Sequence, residues 1–198
     1  MKAALDLIAA RRGSGRLIVA IVGAPGSGKS TLAEGLAAQI AGAVVVPMDG
    51  FHLDNAVLME RGLLDRKGAP DTYDVAGFAA LLGRLRVEQE VVIPLFDRTR
   101  DVAVAGAAVI GPDAEVLLVE GNYLLLEHGP WASLRPFWDV TIALDVPLAV
   151  LEARLVQRWR DHGLAADAAQ ARAMGNDIPN ARLVIAGSVP ADMVIQQG

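Results

Sequence analysis

Residues 17–30, LIVAIVGAPGSGKS, join an unbroken aliphatic run to a glycine-rich loop that opens onto a helical pattern. The run from Leu17 to Val22 suits a strand buried on both faces, and strand, loop and helix in that order are the context of a phosphate-binding P-loop. Gly23, Gly26 and Gly28 let the backbone wrap closely around a polyphosphate so that successive N–H groups point inward as an anion nest, with Ala24, Pro25 and Ser27 completing the loop and Pro25 adding shape but no donor. A helix starting near Lys29 adds its positive end. Lys29 is expected to reach the β- and γ-phosphates, and the Ser30 hydroxyl to take one position on magnesium. Thr31 is a weaker candidate for a phosphate contact. The segment therefore predicts a nucleoside triphosphate site with ATP and Mg2+ as ligands; a plain glycine-rich turn between strand and helix is the alternative.

The 198 residues suffice for one well-buried core, and a single domain is the working expectation. No cysteine is present, so a disulfide framework, a thiolate metal site and a cysteine nucleophile are all excluded. The amino-terminal stretch MKAALDLIAARRGSGR is too short in apolar residues to span a bilayer, which leads to the expectation of a soluble, cytoplasmic protein without a membrane partner. A net charge of -5 argues against general nucleic-acid affinity, so any anion site must be local.

Strand and helix patterns alternate along the chain. They predict an α/β fold of three layers, with a parallel central sheet and helices on both faces. Strands are expected at 17–22, 43–47, 91–95, 116–119 and 140–144, with a small β excursion at 101–111. Leu32, Leu36 and Ile40 mark a helix after the loop, with Gly42 as a stop. Phe78, Leu81, Leu82 and Leu85 mark a second helix. Leu148, Leu151, Leu155 and Trp159 mark a third, entered through Pro147.

Ligands in such sheets lie beyond the carboxyl ends of the strands, which draws attention to three carboxylates. Asp49 follows the second strand in PMDGFH, Asp97 follows the extended stretch in IPLFDR, and Glu120 follows the aliphatic run in VLLVEGNY. All three are candidates to face the triphosphate. Asp49 and Asp97 could equally be turn carboxylates. Glu120 is harder to dismiss, because a carboxylate capping a doubly buried run needs a metal or a donor. Other classes fail on specific grounds. No NKxD element reads guanine, and DVAG at Asp74–Gly77 sits at a helix start. The loop also lacks the GxGxxG spacing of dinucleotide oxidoreductases.

GAPGSGKS, PMDGFH, KGAPDTYDVAGF, IPLFDR, VLLVEGNYLLL and LEARLVQRWRDHG occur in the same order as in P-loop kinases of small metabolites. The chain resembles the group of uridine kinase, bacterial pantothenate kinase and phosphoribulokinase, and within it a bacterial branch that includes fructose transport system kinases. The resemblance implies that Asp49 accepts the proton of the attacking hydroxyl and that Glu120 helps hold magnesium. It puts Arg154, Arg158 and Arg160 in a small lid around 154–165, with Arg154 and Arg158 on one helical face closing on the phosphates. A solvated basic face is the other reading of these arginines. The segment 51–72 and Tyr73 are implied to cover the acceptor, with His52, Tyr73, Asp97 and Arg98 as acceptor contacts. Arg98 and Arg100 in FDRTRD are also candidates for the acceptor's phosphate or carboxylate, or for ATP. Asn176 and Asn180 fall where relatives approach the adenine, with helix capping as the alternative.

The chain lacks the histidine-containing segment of uridine kinases and the long additions of pantothenate kinases, which favours a sugar as acceptor. A homodimer is a common arrangement in the group. A non-catalytic ATP sensor, in which Asp49 is only a turn residue, is the competing class of function.

Overall fold

The computed structural model describes residues 1–197. Its centre is β1 (Leu17–Gly23), whose seven residues are all buried. Four further strands, β2 (Ala43–Pro47), β5 (Val116–Gly121), β6 (Val140–Asp145) and β7 (Met193–Gln196), join it in a parallel sheet of order β2-β5-β1-β6-β7. The register pairs Leu17 with Val116 and Gly23 with Leu144, so the strand ends that follow β1 and β5 lie side by side.

Alternation along the strands feeds two apolar layers. Ile18, Ala20, Val22, Leu117 and Val119 face one side, against α4 (Val75–Val87) through Phe78, Leu82 and Leu85. Leu17, Val19, Ile21, Val116 and Leu118 face the other, against α1 (Lys2–Arg11) and α2 (Lys29–Ala37). Both faces are covered, which is why the central strands read as continuous aliphatic runs. A third cluster joins Ala24 of the loop to Leu151 and Leu155 of α5 (Leu148–Asp161) and to Ile178 and Ala181 of α7 (Ile178–Gly187). Between them run α6 (Ala166–Arg172) and a π-helical turn, Ala173–Asp177. Among the described residues no helix is long and apolar enough to cross a membrane.

The stretch 91–95 departs from the expected parallel arrangement, and the β excursion expected at 101–111 is its partner. β3 (Val91–Asp97) and β4 (Val102–Ile110) pair only with each other, antiparallel, as an arm outside the main sheet. Physical necessity dictates this: only a tight turn separates them, and a parallel pairing needs a crossover of a dozen residues or more. Pro94 sits where the register shifts, a position that tolerates its missing N–H. At that point the arm meets the turn after β2, because a Cβ on Gly50 would collide with the Pro94 backbone. Three further differences are smaller. The amino-terminal stretch forms α1, α2 ends at Ala37 before Gly42, and the short edge strand β7 was not expected.

Candidate active site

The loop expected to cradle phosphate lies at the carboxyl end of β1. Gly26 and Gly28 adopt φ of 79° and 89°, the left-handed region that a side chain disfavours, and Gly28 precedes the first residue of α2. A Cβ on Gly23 would strike the Ser27 hydroxyl. That hydroxyl is buried and has no hydrogen-bond partner, an orphan that an anion seated in the loop would satisfy. Ala24 is buried beneath the loop against the third cluster. The residues present thus fit a polyphosphate.

One cavity of about 520 Å3 connects this loop with the proposed acceptor cover. Pro25, Gly26 and Lys29 line it on one side, and Asp49, His52, Tyr73 and Arg98 on the other, with Arg158 contributed by α5. Its size suits small-molecule ligands. Gly28, Thr31 and Arg154 instead line a neighbouring groove with Met1, Ile195 and Gln197, and Arg154 lies against the Gly26 carbonyl at 3.4 Å. Arg160 is exposed and lines neither.

Asp49 stands in a 3-10 turn, Met48–Phe51, directly after β2. Its Oδ2 accepts from Arg98 Nη2 at 2.8 Å. His52 faces the same turn, its Nδ1 2.8 Å from the Asp49 carbonyl oxygen. A carbonyl only accepts, so Nδ1 carries the proton and Nε2 of the neutral ring is an acceptor. Burial pushes the His52 imidazole below its ordinary value, against the opposing pull of Asp49. The ring packs between Tyr73 and Phe96, with centroids 4.1 and 4.5 Å away. Burial also raises the Tyr73 hydroxyl, and the Asp49 charge adds to this, so it stays a neutral phenol.

Glu120 ends β5 and is 6% exposed. Burial raises its pKa; Lys29 opposes this, Asp49 reinforces it, and the Ser30 hydroxyl lowers it by hydrogen bonding. A desolvated carboxylate beside the first turn of α2 fits a cation bound there. Among the described residues no group of three or more acidic or histidine side chains could hold a metal ion. A magnesium ion at this place would therefore complete its shell from phosphate and water oxygens, as its chemistry favours.

Asp97 belongs elsewhere. Its Oδ1 accepts from the backbone N–H groups of Thr99 and Arg100 at 3.0 Å, closing the β3–β4 turn. The residue ends an arm strand and does not line the cavity. Asn176 and Asn180 make no cap either. Asn176 Nδ2 donates to the Lys67 carbonyl at 2.9 Å, and Asn180 Nδ2 to Asn176 Oδ1, so both face the acceptor cover. DVAG is a helix start, with Asp74 capping α4 through Gly77 N–H.

The cavity also holds Lys67, from the segment expected to cover the acceptor, and residues that the motifs did not single out. Asn122 follows Glu120 in VEGNY and leaves its Oδ1 without a partner; the strand-end rule that found Glu120 would have found it. Lys67 donates to Asn55 Oδ1 and to the carbonyl and carboxylate of Asp101. Trp159, Arg172 and Asp177 come from helices in which nothing local marks a site.

No protein-family model matches the chain. Uncharacterized protein YggC of Escherichia coli K12 is 35% identical over 202 residues, spanning 99% of this chain and 83% of that protein. A candidate uridine kinase of Schizosaccharomyces pombe, C227.14, is 34% identical over 92% of this chain and 83% of its own length. The crystal structure of a candidate fructose transport system kinase from Silicibacter sp. TM1040 shares 55% identity and a TM-score of 0.94, over 98% of this chain and 97% of that one. Pantothenate kinases match more distantly, at 29% identity for that of Enterococcus faecalis, and the chain spans about half of their length (49%). The chain belongs to the P-loop kinases of small metabolites and is an ATP-dependent kinase.

Proposed function

We propose that this kinase transfers the γ-phosphoryl group of ATP to a hydroxyl of a polyhydroxylated acceptor, a sugar of the fructose type. The observation carrying this reading is the shared cavity in which Lys29 of the loop and the Asp49 carboxylate face the same space. Asp49 accepts the proton of the attacking hydroxyl. Lys29, Arg154 and Arg158 hold the triphosphate and offset charge developing on the transferred group. Lys29 and Arg158 line the cavity and Arg154 sits at the loop backbone, which supports that division. His52 Nε2 accepts from an acceptor hydroxyl, and Tyr73 closes the wall behind it. Ser30 and Glu120 would hold magnesium, which when bound would supply positive charge to neutralise the phosphate oxygens. Residues 154–165 act as a lid on one domain, excluding water as a rival acceptor.

A sugar is favoured by the hydrogen-bonding character of the 51–72 segment, and by the 55% identical relative described as a candidate fructose transport system kinase. A nucleoside is the second reading, favoured by the aromatic stack of His52, Tyr73 and Phe96 and by the uridine kinase relative. The test is acceptor-dependent ADP release with free sugars, sugar phosphates, uridine, cytidine and pantothenate. Turnover with a sugar is expected; turnover with uridine and no sugar overturns the assignment. ADP release from no acceptor at all would favour a nucleotide sensor.

A further inference from the structure

The acceptor cavity is lined by five cationic side chains, Lys29, Lys67, Arg98, Arg158 and Arg172, against three carboxylates, Asp49, Asp101 and Asp177. This local excess of positive charge sits in a chain whose net charge is -5. Two of these cations are already engaged, and two are assigned to the nucleotide. Lys67 has three donors, and all three are taken, at 2.7, 2.7 and 2.9 Å, by Asn55, the Asp101 carbonyl and the Asp101 carboxylate. Arg98 is held by Asp49. Lys29 belongs to the phosphate loop. Arg158 also lines the outer groove beside Arg154, on the nucleotide side.

Arg172 is left, and it is built into place. Its guanidinium lies 5.2 Å from the Trp159 ring, and Nη1 donates to the Asp65 carbonyl at 3.0 Å. Trp159 is itself anchored, Nε1 donating to Asp177 Oδ2 at 2.5 Å. One N–H of Asn176 reaches Lys67, so the end of α6 and the π-helical turn that follows it are each tied to the 65–67 stretch of the acceptor cover. Arg172 lines no part of the groove beside Thr31 and Arg154. It enters no ion pair among the described residues. A stacked guanidinium with one donor fixed keeps four donors and loses little freedom on binding an oxyanion.

We propose that Arg172 selects an acceptor that carries an anionic group, a phosphate or a carboxylate, at the end remote from the phosphorylated hydroxyl. This rests on the reading of the protein as a kinase of polyhydroxylated acceptors and narrows it. The anion-binding part considered for Arg98 and Arg100 passes to Arg172, since Arg98 is paired with Asp49 and Arg100 is exposed and does not line the cavity.

Matched acceptor pairs test the proposal: fructose against fructose 6-phosphate for the phosphate arm, and glucitol against gluconate for the carboxylate arm. ADP release is measured with wild type, Arg172→Gln and Arg172→Lys, each checked for folding by circular dichroism. In at least one pair the anionic member is expected to have a kcat/KM at least ~10-fold above its neutral partner, and the pair identifies which anion is taken. Arg172→Gln should then bring that ratio down about 10-fold, towards unity, mainly through the acceptor KM, with Arg172→Lys recovering part of it. Preference for the neutral member in both pairs, or a ratio unmoved by Arg172→Gln, overturns the proposal and leaves the kinase reading standing. No release with either member of either pair overturns the polyol-kinase reading beneath it.

Discussion

Arg98 reaches across from the β3–β4 arm to donate to Asp49 at 2.8 Å, so the carboxylate assigned as base is held by a residue 49 positions away. One carboxylate oxygen is engaged; the other has no hydrogen-bonded partner among the described residues. In the proposed reading the pair orients the base and leaves a guanidinium to meet the γ-phosphoryl group. Arg98→Ala is therefore expected to lower kcat about 10- to 100-fold, with Arg98→Lys partly restoring it, in steady-state ADP release.

Asp49→Asn keeps the shape and the contact with Arg98 while removing the proton acceptor. Acceptor-dependent ADP release should fall by roughly 100- to 10,000-fold, and ATP affinity measured by calorimetry should stay close to wild type. Unchanged turnover would return Asp49 to the part of a turn residue.

Lys29→Ala removes the charge that acts on Glu120 and that is assigned to the triphosphate. Transfer should drop on the order of 100-fold or more. A variant with wild-type ATP turnover would contradict the assignment of the loop.

Glu120 gives a pH-dependent prediction. Burial raises its folded pKa above the unfolded value, so its contribution to stability is fully present at acid pH and is lost as pH rises through the folded pKa. Glu120→Gln should accordingly raise the ligand-free Tm at neutral pH, with the gain shrinking towards pH 4. In the presence of ATP the same variant should need more magnesium for half-maximal rate. Superimposable magnesium titrations would refute the metal assignment.

His52 titrates with the opposite sign. Its folded pKa lies below 6.5, so stability from the neutral buried ring is present above 6.5 and lost as pH falls through the lowered value. The acid limb of acceptor kcat/KM that belongs to this ring should fall below pH 6.5, and it should be absent in His52→Gln. A wild-type limb centred at 6.5 would argue for a solvated histidine.

The phosphate loop was legible because every part of it is local: an aliphatic run, glycines at left-handed positions, and a helix start. Asp49 and Glu120 were legible from strand ends alone. Asp97 met the same rule and failed it, because which strand pairs with which is a long-range matter and a run of seven residues reads alike in a sheet or an arm. Arg172 and Asp177 gave no signal. They become part of the site only through contacts such as Arg172 to Asp65, between positions 107 apart. The α1 helix escaped notice for a related reason: only Ala4 and Ile8 are fully buried, too few to mark a period.

The β3–β4 arm carries Phe96 and Arg98 into the cavity without sharing a single ladder hydrogen bond with the five-stranded sheet. Its attachment is side-chain packing instead, through Val91, Ile93 and Ile110 in the apolar layer that holds Ile18, Ala20 and Val22, and through the approach of Pro94 to Gly50. Re-registering the hairpin would therefore disturb the layer beneath β1, whereas its exposed tip, residues 98–101, touches none of that packing. Changes confined to the tip are the ones expected to alter the cavity wall near Arg98 while β1 and its loop fold as before.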